Sequence, residues 1–183
     1  KLSPGQGKAL LAEARLTLEN AFTGLRSAPV LSGDPRLNLP GAVFVTLTEG
    51  GVLRGCVGTV EPEMTLLDAA RYGAFSAAFR DARFQPLRRE ELEKVKIEVS
   101  VLSPLKPVKP GEVKPGVTGV VAVNGKKTGL FLPQVWEQLP GKDEFLGELC
   151  AQKAGLPRDC WKDPATKLYS FTADAFVESE TGK

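Results

Sequence analysis

The stretch AVFVTLTEGGVLRGCVGTV, residues 42–60, has the pattern of a β-hairpin. Two runs rich in β-branched and apolar residues, 42–48 and 52–60, flank the Glu-Gly-Gly segment at 49–51. A short glycine-containing connection between such runs is typical of two antiparallel strands. We therefore expect an antiparallel hairpin here.

The rest of the chain predicts further helices and strands in an α+β arrangement. Helices are predicted from Pro4 to Gly24 and over residues 65–79, 133–138 and 143–154, and strands over residues 95–102, in a hairpin around Asn124-Gly125, and over 168–177. The Asn-Gly pair favours a type I′ turn, although the two lysines after it allow a longer loop. Alternating apolar strands joined by short turns favour a largely antiparallel sheet with helices grouped around it.

The length of 183 residues is sufficient for a core and predicts one domain, 1–183, with a larger and a smaller lobe. Residues 104–116, PLKPVKPGEVKPG, contain four prolines and three lysines. This composition predicts a semi-rigid extended loop rather than a strand, and it makes the segment the best lobe boundary. Turn-forming residues over 27–41 predict a long surface connection.

The charge balance and the cysteines restrict the class of protein. Twenty-four basic and twenty-two acidic residues give a net charge of +2, which is too small to predict nucleic-acid or membrane binding. Without an apolar run of about 18–20 residues or a signal-peptide pattern, we expect a cytoplasmic protein. Cys56, Cys150 and Cys160 have no histidine with which to form a zinc site. Cys150 and Cys160 could pair with each other, but a cytosolic setting disfavours that bond, and the sequence does not establish their distance.

Arg54 and Cys56 form the first candidate site, on the return strand of the hairpin. Alternate residues of a strand share a face, so their Cα atoms would lie roughly 6.5–7 Å apart. A neighbouring guanidinium lowers the pKa of a thiol, which makes Cys56 a candidate nucleophile. Gly55 and Gly58 weaken a strand and indicate a bulge, a bend, or close approach of a ligand or another backbone. The alternative is structural: a buried cysteine, an ion-paired arginine and glycines needed for packing.

Asp81 and Arg83 form a second constellation, directly after the alanine-rich helix predicted at 65–79. Carboxylate pairing to arginine is bidentate and orients both partners. We expect Asp81 to bind Arg54 and to leave Arg83 available for an anion. The alternative is a structural salt bridge that closes the end of the helix.

The segment LRGCVGT at 53–59 closely resembles the LRGCIGT signature of the AMMECR-type domain, known in prokaryotes as AmmeMemoRadiSam system protein A. The resemblance continues in AAFRDARFQPLRREELEKVKIEVSVLSPL, in GVTGVVAVNGKKTGLFLPQVW and in EFLGELCAQKAGL. It extends over residues 8–177, with the motifs in the same order.

The resemblance implies a cytosolic fold with a larger and a smaller lobe and a shared cleft. The cleft residues it implies are Arg54, Gly55, Cys56, Gly58, Asp81, Arg83 and Phe84, together with Leu53, Pro86, Leu132, Pro133 and Val135. Memo-like and radical-SAM proteins are the implied partners, and a nucleic-acid or translation-related role has been suggested for the family. Thr118 stands where relatives often have histidine, so a histidine-dependent function could not be shared.

Two principal functions follow from these features. The first is a cysteine-dependent enzyme, or enzyme component, in which Cys56 and Arg54 are catalytic and the substrate is a small anionic or nucleotide-like molecule. The second is a non-catalytic binding module for a Memo-like or radical-SAM partner. RNA binding is a third hypothesis, weakened by the near-neutral charge. We expect no metal, no cofactor and no membrane partner.

Overall fold

The computed structural model describes residues 1–25 and 32–179. Over these residues it contains α1 (Pro4–Thr23), α2 (Leu66–Phe79), α3 (Lys142–Glu148), β1 (Ala42–Glu49), β2 (Val52–Gly58), β3 (Val95–Leu102), β4 (Lys106–Val108), β5 (Gly119–Asn124), β6 (Lys127–Phe131), β7 (Lys167–Phe171) and β8 (Ala173–Val177). Two compact units result: the first comprises residues 1–102 and the chain from Asp174 onward, and the second comprises Ser103–Ala173.

The first unit is built on a four-stranded sheet with the order β2-β1-β3-β8. The pairings of β1 with β2 and with β3 are both antiparallel. Helix α2 packs against β1 and β2, and α1 packs against α2 and β3. Val45, Leu47 and Ile97 are fully buried in this core. The predicted 42–60 hairpin and the antiparallel α+β fold are therefore confirmed.

Local signals set the limits of the first helix. Ser3 and Gln6 form a capping box at its start, and Gly24 ends it with a left-handed φ of 72°. The surface connection predicted over 27–41 lies partly outside the described residues, and in its described part Pro35–Asn38 form a 3₁₀ turn.

Glycines close both hairpins, but with different turns. Gly50 and Gly51 both have positive φ, 56° and 80°, as a type I′ turn requires. In the second hairpin β5 and β6 are joined by two residues, of which only Gly125 has a positive φ. That pattern is type II′, so the type I′ prediction for this turn was wrong.

The second unit contains a sheet with the order β4-β7-β5-β6, covered by α3 and by helical turns. Trp136 stacks on Phe145 with ring centroids 3.6 Å apart. One sequence prediction needs correction: segment 104–116 contains β4, which pairs with β7. The helix predicted over 133–138 is a 3₁₀ helix over residues 133–137, and the helix predicted over 143–154 is α3 continued by a π-helix over Leu149–Lys153.

The single strand predicted over 168–177 is two strands. β7 ends at Phe171 and belongs to the second sheet, whereas β8 begins at Ala173 and belongs to the first. The chain therefore passes between the units twice, after Leu102 and after Ala173. Within the described residues, no helix combines the length and the apolar character needed to cross a bilayer.

Cys150 and Cys160 form a disulfide bond, contrary to expectation. Cys150 lies on the π-helix and Cys160 on a 3₁₀ turn, and both are buried. The fold brings their Cα atoms to 5.9 Å, a separation that a disulfide bridges readily. The expectation rested on the rarity of disulfide bonds in cytosolic proteins, which gives no information about the distance between two cysteines in a particular fold.

Removal of the disulfide should destabilise the native chain. Loss of a disulfide between cysteines 10 residues apart in the sequence lowers the free energy of unfolding by about 2–3 kcal/mol. We expect Cys160→Ser to lower the free energy of unfolding in urea by this amount, and reductant to destabilise the native chain but not the variant. Three free thiols in the denatured, unreduced native chain would contradict the bond.

Gly55 allows β2 to pack closely on α2. A Cβ at this position would lie 2.1 Å from the carbonyl oxygen of Ala77, which is backbone and cannot move away alone. We expect Gly55→Ala to lower the free energy of unfolding by about 2 kcal/mol. Gly33→Ala is the control, because no atom lies within 4 Å of its added Cβ. Equal stabilities of the two variants in urea would show that β2 is not held at this distance.

Candidate functional site

Strand β2 lies at one edge of the first sheet and contains a β-bulge at Arg54. Thr48 pairs with Leu53, whereas the preceding residue of β1, Leu47, pairs with Gly55. Arg54 is the extra residue between these pairs. The expectation that Arg54 and Cys56 share a face assumed unbroken alternation, which the bulge interrupts.

The bulge determines the face on which Cys56 lies. Uninterrupted pairing from the turn would place Cys56 opposite Val45, a fully buried residue that packs near α2. With the bulge, Cys56 lies opposite Thr46. Directly opposed side chains share a face of an antiparallel pair, so the bulge moves Cys56 away from the helix-covered core.

Arg54 is ion-paired, as predicted, but its partner is Glu91 rather than Asp81. Its Nε and Nη2 atoms donate to the two carboxylate oxygens of Glu91 at 2.9 and 3.1 Å. Nε also lies 3.5 Å from a carboxylate oxygen of Glu49. The Arg54 side chain is only 13% exposed, and its Nη1 is buried without a hydrogen-bond partner among the described residues. The predicted Arg54–Asp81 pair is wrong.

The two glutamates beside Arg54 have opposite pKa shifts. Hydrogen bonds from Arg54 lower the pKa of Glu91 to about 2 against the opposing effect of burial, and the backbone N–H of Arg88 contributes. Burial raises the pKa of Glu49, and the adjacent Glu91 carboxylate raises it further. Glu91 is therefore the ionised partner that balances the charge of Arg54.

Cys56 is half-buried and is not part of the disulfide, and contacts of its side chain and of its backbone fix its position. Its Sγ lies 3.3 Å from the hydroxyl oxygen of Thr46, within hydrogen-bond reach. Its backbone N–H donates to Asp81 at 3.0 Å. The Asp81 carboxylate thus accepts a hydrogen bond from a backbone N–H of the edge strand β2.

Asp81 also fixes the orientation of Arg83. The Nε and Nη2 atoms of Arg83 donate to the two Asp81 oxygens at 3.0 and 2.7 Å, and the Arg83 backbone N–H donates at 3.2 Å. These bonds from Arg83 are the main cause that lowers the pKa of Asp81 to about 2. The pKa of Arg83 is raised, chiefly by Asp81, and the charge of Cys56 contributes. Cys56, Asp81 and Arg83 therefore form one electrostatic group.

Phe84 connects this group to Arg54. The guanidinium carbon of Arg83 lies 5.3 Å from the centroid of the Phe84 ring, and that of Arg54 lies 6.0 Å from it. Both distances are within the range of cation–π attraction. Phe84 thus helps to order both arginines.

The two predicted glycines have packing roles in this geometry. A Cβ on Gly58 would lie 2.2 Å from the carbonyl oxygen of Val43, so β2 needs glycine here, as it does at Gly55. Thr46, Glu49 and Glu91 were missed by the sequence analysis. The hairpin register could have suggested Thr46 only if the bulge had been known. Among the described residues, no cluster of three or more histidine, cysteine or acidic side chains is arranged to hold a metal.

Fold and site together define a two-sheet α+β protein with a cysteine outside the disulfide on an edge strand. Its sequence matches the AMMECR1 family model over residues 11–176. A protein from Methanothermobacter thermautotrophicus is 39% identical, over 97% of this chain and 96% of the relative. Protein PH0010 from Pyrococcus horikoshii is 37% identical, over 97% and 92%.

The chain belongs to the AMMECR1 family. The crystal structure of the uncharacterized protein PH0010 superposes on it with a TM-score of 0.91 at 38% identity, over 97% of this chain and 94% of that one. The resemblance inferred from LRGCVGT is thereby confirmed. The names of these relatives state no activity, so function has to be argued from the site.

The Arg54–Glu91 pair should make stability depend on pH. A carboxyl group whose pKa is lowered in the folded chain stabilises it above the unfolded pKa, and this contribution is lost as pH falls toward the folded value. We expect Glu91→Gln to lower the free energy of unfolding by about 3 kcal/mol at pH 7, because it removes the bidentate partner of the buried Arg54 and leaves Glu49, 3.5 Å away, as the remaining ion-pair partner. The difference in free energy of unfolding between the native chain and the variant should decrease as the pH falls from about 5 to 2.

Glu90→Gln is the matched control, because Glu90 is exposed and adjacent in sequence. It should follow the native chain at every pH within about 0.5 kcal/mol. Urea unfolding between pH 2 and pH 8 measures both variants. A difference for Glu91→Gln that stays constant with pH would refute the assigned ionisation of Glu91.

Proposed function

We propose that the protein is a cysteine-dependent enzyme, or an enzyme component, that acts on a small anionic substrate, with nucleotide-like molecules included in that class. The observation that supports this best is the arrangement of Asp81. One carboxylate binds the backbone of the thiol residue and also orients Arg83 beside it. Cys56 is the nucleophile in this proposal.

Arg83 favours the thiolate form of Cys56, against the opposing charge of the Asp81 carboxylate. The thiolate is the nucleophile, and a nearby cation stabilises it. Arg83 is such a cation, and it is 44% exposed. Its Nε and Nη2 donate to Asp81, and its third nitrogen, Nη1, is not part of that bidentate pair. Nη1 is the donor that would bind an anionic group of the substrate.

The reaction proposed is displacement at an electrophilic carbon. The thiol proton leaves to solvent, the Cys56 Sγ forms a bond to carbon, and the bond to the leaving group breaks with its electron pair on that group. The Thr46 hydroxyl donates a hydrogen bond to the thiolate before attack. Arg54, predicted as catalytic, becomes a positioning residue, because Glu91 already occupies two of its donors.

Alkylation of Cys56 tests the proposal with two reagents of similar size, neutral iodoacetamide and anionic iodoacetate. Arg83→Ala should reduce the iodoacetamide rate at pH 7 roughly 3- to 10-fold, as expected for a thiol pKa raised by about 0.5–1 unit. It should reduce the iodoacetate rate more, because the anion also loses its binding partner. Arg83→Lys should restore part of both rates.

Arg89→Ala is the control, because Arg89 is also exposed but lies outside the Asp81 group. Mass spectrometry assigns the label to Cys56, and the disulfide keeps the other two cysteines unreactive. An unchanged ratio of iodoacetate to iodoacetamide rates in Arg83→Ala would sink the anion-binding role. A native thiol as slow as free cysteine at every pH would sink the catalytic one.

A non-catalytic binding module is the second proposal, favoured by the exposed apolar residues Val52 and Leu53 at the start of the edge strand β2, before the Cys56 N–H that Asp81 occupies. Edge strands accept an added strand from a partner, and a Memo-like or radical-SAM protein of the AmmeMemoRadiSam system is the partner proposed. RNA as a partner remains the weaker proposal. An unreactive Cys56 together with a stoichiometric complex would favour the module.

A cytoplasmic location is part of the same proposal. The disulfide bond is more usual in oxidising compartments, but it also occurs in intracellular proteins of some thermophiles. Fractionation of the source cells would test the location directly.

A further inference from the structure

The second unit contains a cavity of about 1010 Å³. Its walls come from residues 103–118, which include β4, and from the end of β7 with Thr172. None of these residues belongs to the Cys56 site. The volume is at the upper end of the range for small-molecule sites.

The walls of this cavity are held in place before any ligand binds. Pro104, Pro107 and Pro115 line it and have fixed φ angles. Ser103 and Thr172 are joined by two hydrogen bonds, from the Ser103 N–H to the Thr172 carbonyl at 2.8 Å and from the Thr172 N–H to the Ser103 hydroxyl at 2.9 Å. A ligand would therefore not have to order this wall.

Thr118 lines the cavity and has a buried hydroxyl that lacks a partner among the described residues. Thr118 is only 9% exposed, and its Oγ1 makes no hydrogen bond with any described residue. Its backbone is fixed, because its carbonyl accepts a hydrogen bond from the indole N–H of Trp136 at 2.7 Å. A buried polar atom without a partner costs free energy, and a polar ligand atom would satisfy it.

The side chains that line the cavity carry a net positive charge, and part of the lining is apolar. Lys106 and Lys114 line the cavity, and neither forms an ion pair with a described residue. Glu112 also lines it, but its carboxylate accepts the Lys109 backbone N–H at 2.9 Å. Val117 is 54% exposed beside these groups. The lining therefore favours a molecule with an apolar body and one anionic group.

We propose that this cavity is a binding site for a small amphipathic anion. Lys106 and Lys114 bind its carboxylate, phosphate or sulfonate, Val117 and the prolines contact its apolar body, and the Thr118 hydroxyl forms a hydrogen bond with a polar atom. The site goes beyond the Cys56 proposal and does not depend on it.

Two fluorescent probes with the same ring system test this site. 8-Anilinonaphthalene-1-sulfonate has the anionic group, and N-phenyl-1-naphthylamine lacks it. Titrated into the full native chain, the sulfonate should bind saturably with one site and at least tenfold more tightly than the neutral probe. The double variant Lys106→Glu with Lys114→Glu should weaken the sulfonate at least tenfold and change the neutral probe less than threefold.

Two variants at Thr118 distinguish the effect of its hydroxyl on binding from the effect of its side-chain shape. Thr118→Val should weaken the sulfonate about threefold or more, while Thr118→Ser should bind it as the native chain does. Lys126→Glu, in the β5–β6 turn, is the control for net charge and should leave affinity unchanged. Thermal unfolding checks that each variant is folded.

The outcomes decide the proposal. Loss of sulfonate affinity in the double variant, with Lys126→Glu unchanged, supports it. Equal affinity for both probes, no saturable site, or sulfonate binding that persists in the double variant overturns it. Alkylation of Cys56 should proceed at the native rate in the double variant, so a failure here is distinguishable from a failure of the cysteine proposal.

Discussion

One extra residue in β2 determines the geometry of the candidate site. The bulge at Arg54 places Cys56 opposite Thr46 instead of Val45 and therefore turns the thiol away from the buried core. The Arg54–Glu91 pair binds the bulged residue to the segment after α2. Without that residue, Cys56 would face the helices and would be one more small core residue.

The loop after α2 builds the other half of the site around Asp81. This carboxylate accepts hydrogen bonds from the Cys56 backbone and from the Arg83 side chain, and both lower its pKa. The ionised Asp81 carboxylate thus connects Cys56 on β2 with Arg83, a cation 27 residues later in the sequence. The two arginines therefore have different roles: Arg54 binds β2 to Glu91, whereas Arg83 provides an exposed positive charge.

The sequence predicted the regular elements well, because apolar alternation and helical spacing depend on near neighbours. Gly55 and Gly58 indicated a bulge, a bend or a close approach as alternatives, but no local pattern shows that Arg54 is the extra residue. Glu91 was missed because it lies in RREELEK, residues 88–94, where several acidic residues look equivalent. The Cys150–Cys160 bond and the break at Thr172 depend on tertiary geometry that no local pattern contains.

The bulge creates a specific register between β1 and β2, and cross-strand nuclear Overhauser effects at Cys56 measure this register most directly. In the native chain, the Cys56 β-protons should show contacts to the β- and γ-protons of Thr46 and none to the Val45 methyl groups. The Thr59 N–H, bound to the Val43 carbonyl at 3.1 Å, should report the same register on the far side of Cys56. Strong contacts between Cys56 and the Val45 methyl groups, without contacts to Thr46, would contradict the account.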